Sequence, residues 1–150
     1  MQTKKLRLLF SVISLVCLCG ASTATAATPI KKFSAPDFSG DYTCTGNDAN
    51  EGAYQASVHL ELKPKHSQGQ FGAYRFTLEV PGFGTYPGHA ASKGKMMAIY
   101  FANTDPTTKD YGTGIAEFKK NRHGKWSFSK YYFEPEYKGG NFGFESCTQN

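Results

Sequence analysis

Tyr54-Gln55-Ala56-Ser57-Val58-His59-Leu60-Glu61-Leu62-Lys63 decides how the rest of the chain is read. Ala56, Val58, Leu60 and Leu62 fall on one side of an extended backbone, with Ser57, His59 and Glu61 on the other. A period of two is the mark of an antiparallel strand with one face in a core and one in water. Residues 71–80 repeat it, setting Tyr74, Phe76, Leu78 and Val80 against Arg75, Thr77 and Glu79. Working outward, Gly40-Asp41-Tyr42-Thr43-Cys44-Thr45 reads as a first strand closed by Gly46-Asn47-Asp48. Further strands are expected at 85–91, 95–102, 111–119, 125–133 and 141–148, separated by turn-rich text at 65–70, 92–94, 103–110, 121–124 and 135–140. No stretch sustains a 3.6-residue period with caps, so little or no helix is expected.

Upstream of these strands, residues 1–26 have the form of a secretory signal peptide. Lys4, Lys5 and Arg7 precede an apolar run from Leu8 to Leu18, and Ala24-Thr25-Ala26 supplies the small residues of a cleavage site. Bulky Val16 and Leu18 stand before Cys17 and Cys19, which disfavours lipidation. The leader takes three of the 17 basic residues and none of the 12 acidic ones, so the remainder carries +2 instead of +5. Nucleic acid thereby loses its compositional support as a partner. Residues 27–38, with Pro29 and Pro36, read as an extended arm, and 39–150 as one domain.

Without the leader, Cys44 and Cys147 are the only cysteines left, and an exported protein places them in an oxidising compartment, periplasmic or secreted. They lie in the first and last expected strands. In an up-and-down barrel those strands are neighbours, so a Cys44–Cys147 disulfide would lock the seam. A sandwich with paired terminal strands would also allow the bridge. Strand signals that run on without a long crossover favour a single antiparallel up-and-down barrel of about eight strands, lipocalin- or avidin-like in shape. An outer-membrane barrel is disfavoured by the charges on the strands and by the Thr148-Gln149-Asn150 ending.

Two clusters stand out as candidate sites. The aromatic run 125–133 offers Trp126, Phe128, Tyr131 and Tyr132, read either as core or as the lining of a ligand cavity. Outward-facing Tyr131 or Phe133 would point to a contact surface. Lys119, Lys120, Arg122 and Lys125 form a compact basic turn, read as a solubilising hairpin tip or a patch for an anionic partner. Glu134-Pro135-Glu136 carries two carboxylates, but a turn there would leave both solvated rather than flanking a cleft. Asp48-Ala49-Asn50-Glu51-Gly52 lacks the ligand spacing of a calcium loop and reads as an Asx turn. His59, His66, His89 and His123 have no mutual metal spacing, and no serine stands in a nucleophile elbow. No catalytic residue, metal or cofactor is therefore expected.

Tyr42-Thr43-Cys44 near the start and Ser146-Cys147-Thr148-Gln149 at the end resemble the frame of small exported β-barrels of Gram-negative bacteria. Among these, the chain resembles the periplasmic inhibitors of C-type lysozyme, in which a Tyr-x-Cys opening is bridged to a late cysteine. The Ser-Gly-x-x-Tyr inhibitory loop of that family is absent: Ala90-Ala91-Ser92-Lys93-Gly94 does not match it. No inhibitory residue is carried over. The expectation is an exported, non-enzymatic binding module for a small apolar ligand or a protein partner. Inhibition of a hydrolase such as lysozyme is the alternative, and a small hydrolase with an unrecognised site the third reading.

Overall fold

The computed structural model describes Pro29 and residues 31–150. The leader assigned to 1–26, and Ala27, Thr28 and Ile30 of the arm, lie outside the described residues. Eight strands follow the alternation closely: β1 (Gly40–Asp48), β2 (Gly52–Leu62), β3 (Phe71–Val80), β4 (Gly84–Lys93), β5 (Met96–Ala102), β6 (Tyr111–Lys120), β7 (Trp126–Glu134) and β8 (Asn141–Gln149). Each pairs antiparallel with the next, and β8 pairs with β1, so the sheet closes as an up-and-down barrel without a crossover. Short 3-10 turns at Pro64–His66, Pro106–Thr108 and Tyr137–Gly139 are the only helical backbone among the described residues. None is long and apolar enough to cross a membrane.

Two expected turns prove to be strand. β1 runs on through Gly46-Asn47-Asp48, because these residues pair with β2 on one side and β8 on the other. The chain reverses only after Asp48, whose Oδ1 accepts from the Asn50 and Glu51 backbone N–H groups at 2.8 and 2.9 Å. That is the expected Asx turn. Ser92 and Lys93 likewise belong to β4, leaving Gly94 and Lys95 as the reversal. Gly94 has a φ of +60°, a conformation glycine adopts without strain.

Inward side chains alternate along every strand and fill the barrel. Tyr42, Val58, Leu60, Tyr74, Phe76, Met97, Ile99, Phe101, Phe118 and Phe128 are all buried. Several large side chains lie over glycines of a neighbouring strand. A Cβ on Gly46 would come within 2.2 Å of the Tyr54 ring, and one on Gly143 within 2.2 Å of the Tyr132 hydroxyl. Glycine here supplies room, in the small-beside-large pattern by which narrow barrels fill their interiors.

Cys44 and Cys147 face each other directly across the β1–β8 register and form the expected disulfide inside the seam. The cross-link spans 103 residues of sequence. A loop of that size is worth about 4.7 kcal/mol in the chain-entropy account.

The two ends of the barrel are built differently. At the end where β1 starts, the arm turns inward and its last residue, Phe38, is fully buried. The Phe38 ring stacks on Phe118 at 4.1 Å and meets the Trp126 ring edge-on at 4.9 Å. Tyr42 donates its hydroxyl proton to the Phe38 carbonyl at 2.8 Å, which holds the plug in place. The other end, where β1 finishes, is open.

Candidate functional site

The open end is a pocket with about 470 Å³ of empty space, counting its mouth. Asp48, Tyr54, Leu78, Tyr86, Phe101, Asp110, Lys130, Tyr132 and Glu134 are among its lining residues. Its inner part is narrow, with room for on the order of four water-sized groups. The pocket arises where β1, β3, β5 and β7 end and β2, β4, β6 and β8 begin. β1, β2, β3, β4, β5 and β7 line it with residues near these ends, and Asp110 joins them from the loop between β5 and β6.

Asp48, at the end of β1, anchors the polar part. Its Oδ2 accepts from the Tyr132 hydroxyl and from the Asn141 side-chain amide, both at 2.7 Å. Burial alone would raise the Asp48 pKa. The hydrogen bonds from Glu51, Tyr132, Asn141 and Asn50 outweigh burial and hold it below the usual carboxylate range. Asn141 also donates to Glu134 Oε2 and so ties the two acids together. Across the mouth, Tyr86 donates to Asp110 Oδ2 at 2.7 Å. Burial pushes the phenols of Tyr54, Tyr86 and Tyr132 upward, and the acids beside them add to it. All three remain protonated donors at neutral pH.

Glu134 corrects the expectation of a solvated carboxylate. It is the last inward residue of β7 and only 6 % exposed, whereas Glu136, two residues on, is exposed. Burial pushes its pKa up to about 8, and Asp110 and Asp48 beside it act in the same direction. At neutral pH Glu134 therefore keeps its proton. Asp110 Oδ1 and Asn141 Oδ1 accept from no protein donor although both are buried.

Below the acids lies Lys130, an inward lysine whose side chain is 1 % exposed. Its ammonium sits 2.7 Å from Glu145 Oε2, off the best hydrogen-bond direction. The rings of Phe76, Phe101 and Tyr132 surround it at 5.3 to 5.5 Å. Lys130 and Glu145 are opposite one another in the β7–β8 register, and Tyr54 donates to the remaining Glu145 oxygen at 3.0 Å. Charge, cation–π contact and register coincide here, so the pair fixes how β7 meets β8.

The structure scatters the aromatic run instead of gathering it into one site. Of Trp126, Phe128, Tyr131 and Tyr132, only Tyr132 lines the pocket. Phe128 is core, and Trp126 packs against Phe38 at the plugged end. Tyr131 points outward, as does Phe133. Together with Ile115, Phe142 and Phe144 they form a continuous apolar face on the outer wall of β6, β7 and β8. Ile115, Tyr131 and Phe144 occupy one cross-strand row, and Phe144 is 60 % exposed. Lys119, Lys120, Arg122 and Lys125 are all exposed at the β6–β7 turn, at the plugged end and away from the pocket. The Lys120 ammonium lies 5.1 Å from the Trp126 ring centre and helps cover it.

Among the described residues, one set of His, Cys, Asp or Glu has the spacing to hold a metal ion: Cys44, Glu145 and Cys147. Its sulfurs are joined in the disulfide, which leaves no thiolate to bind a metal. The acids of the pocket mouth are not close enough together to form such a set. His59 pairs with Asp41 on the outer surface, and His89 stacks on Tyr100 there.

Asp48, Asp110, Lys130, Glu134, Asn141 and Glu145 are the site residues that the strand readings missed. Once Phe128 and Cys147 are known to point inward, counting by twos finds most of them. From Phe128 the inward phase runs to Lys130, Tyr132 and Glu134, and from Cys147 back to Glu145, Gly143 and Asn141. No family model matches the chain, and no curated protein matches it either.

Proposed function

We propose that the protein is an exported, non-enzymatic binding module that holds a small ligand in the open end of its barrel. The observation that carries this reading is the difference between the two ends. One is sealed by Phe38, while the other keeps buried acids and unpaired acceptors around an accessible pocket. Polar groups of this kind work against folding unless something engages them. The leader-like N-terminus and the disulfide support export to the periplasm or beyond. The ligand differs in kind from the purely apolar one expected: it brings hydrogen-bond donors as well as an apolar body.

The geometry favours binding over hydrolysis. Two carboxyl groups that cleave a glycosidic bond stand about 5 to 9.5 Å apart. Asp48 and Glu134 both accept from the Asn141 amide nitrogen, which holds their oxygens side by side instead of on opposite faces of a cleft. Outward charges at Asp41, Glu61, Arg75 and Glu79 argue against a lipid-facing wall. Amide chemical-shift mapping by NMR, with a set of small amines, alcohols and polyols, tests the reading. Perturbations should cluster at residues 48–54, 84–86, 110–112 and 132–141. Shifts confined to the plugged end or the outer wall would overturn it.

A second reading rests on the outer aromatic face of Ile115, Tyr131, Phe133, Phe142 and Phe144. Contiguous apolar area on a protein surface marks contact with a partner protein. A hydrolase is the partner class implied by the likeness to lysozyme inhibitors. Inhibition of C-type lysozyme that survives Glu134→Gln but is lost in Phe144→Asp would favour this face. An absence of inhibition would remove the hydrolase from consideration.

A further inference from the structure

We propose that the open-end pocket takes a small organic cation, a primary ammonium seated against Asp110 and Glu134 and carried on a short aromatic or aliphatic body. The inference rests on the reading of this end as a binding pocket and concerns what that pocket selects.

The charge inventory points this way. Glu134 is faced by Asp110 from the β5–β6 loop, Asp48 from β1, Asn141 from β8 and Tyr86 from β4. Lys130 and Tyr132 share its strand, and Tyr54, Glu51 and Tyr137 complete the polar lining. Lys130 is the one cation among these residues, and it is matched by Glu145 within an aromatic cage. Glu51 is matched at the rim by Lys138. Asp48, Asp110 and Glu134 have no counter-ion in the pocket.

Hydrogen-bond capacity agrees. Asp110 Oδ1 and Asn141 Oδ1 are buried acceptors without a protein donor, and Asp110 is 7 % exposed on the pocket wall. Lys130 Nζ is the one buried donor at this end without a hydrogen-bond partner, but it lies 2.7 Å from Glu145, whereas the two orphan acceptors face no cation. An ammonium supplies three donors with a positive charge, whereas a hydroxyl supplies one and brings lone pairs that find few partners. A metal ion would need several carboxylates within mutual ligand distance, and the acids of the mouth are not so arranged. Leu78, Val80, Tyr86 and Phe101 provide the wall for the ligand body.

In the empty pocket Glu134 holds a proton at neutral pH. An incoming ammonium takes the place of that proton: Glu134 becomes a carboxylate, its proton leaves to solvent, and the N–H groups satisfy both acids. No covalent bond to the ligand forms or breaks. Because Glu134 titrates near pH 8, binding below that pH releases close to one proton and strengthens as pH rises.

Isothermal titration calorimetry with benzylamine and benzyl alcohol, at pH 6 and pH 8 and in buffers of different ionisation enthalpy, tests this. Benzylamine should bind at least tenfold more tightly than the alcohol at pH 8. Its affinity should fall at least tenfold at pH 6, with about one proton released per amine there. Glu134→Gln should abolish the proton release and weaken amine binding, with its fold checked by circular dichroism. Equal affinity for alcohol and amine, or amine binding to wild type without proton release, overturns the cation inference and leaves the pocket reading standing. Failure of the wild type to bind either compound overturns both, and that measurement requires no variant to fold.

Discussion

The two ends of one barrel solve the same problem in opposite ways. Both must close off a tube of side chains about one residue beyond the last cross-strand pair. At one end an aromatic residue from outside the sheet, Phe38, fills the opening and packs on Phe118 and Trp126. At the other, Asp48, Asp110, Glu134 and Asn141 are kept out of water with acceptors to spare. The plugged end gains stability from apolar burial and the open end holds polar capacity at stability's expense. Such an expense marks the end where selection acts on something other than folding.

Removing the seam that both ends share should have the largest effect. Cys44→Ala with Cys147→Ala should lower unfolding free energy by about 4 to 5 kcal/mol in urea titrations, from the length of loop released. Little change would show that ring closure of the sheet alone holds β1 to β8. Phe38→Ala should come next, at about 3 to 4 kcal/mol, as for other buried phenylalanines. It should also admit a small apolar dye at the plugged end. A loss below about 1 kcal/mol would mean that the arm is not the plug.

The open end should respond in the opposite sense. Glu134 has a folded pKa raised to about 8, so it disfavours the folded state only where it must ionise. Its stabilising protonated form is fully present below the unfolded value near 4.5 and is lost as pH rises through about 8. Glu134→Gln, which keeps a neutral side chain of the same shape, should therefore match wild type near pH 4.5 and exceed it by roughly 3 kcal/mol at pH 9. Equal melting temperatures at both pH values would show that the carboxyl is not held protonated. Asp48 works the other way: its lowered pKa gives stability that is present above about pH 4 and lost as pH falls. Smallest of all, Phe144→Ser on the outer face should change stability by no more than about 0.5 kcal/mol, since the ring is mostly in water. A larger loss would mean that the aromatic row Ile115–Tyr131–Phe144 supports the wall instead of awaiting a partner.

β7 shows why the site was harder to read than the fold. Its text, Trp126-Ser127-Phe128-Ser129-Lys130-Tyr131-Tyr132-Phe133-Glu134, carries aromatic residues on both faces after Phe128. Hydrophobicity alone would send Tyr131 and Phe133 inward and leave Lys130 and Glu134 in water. The structure does the reverse. Lys130 can be inside because Glu145 stands opposite on β8, and Tyr132 because Gly143 leaves space for its ring. Gly112 does the same for Glu134, whose Cγ would lie 3.0 Å from an added Cβ. These permissions come from neighbouring strands, and Asp110 reaches the pocket from a loop whose course no periodicity describes.

Local alternation was enough to find eight strands, and the lack of a long crossover favoured the barrel over a sandwich. Cys44 and Cys147 paired because no other cysteine stands outside the leader and a barrel makes the first and last strands neighbours. Which face of β7 turned inward, which carboxylates met, and which end stayed open were decided only by the tertiary structure. A buried charge or a large ring is stable only beside its partner or its empty space, and both are brought there by closure of the sheet.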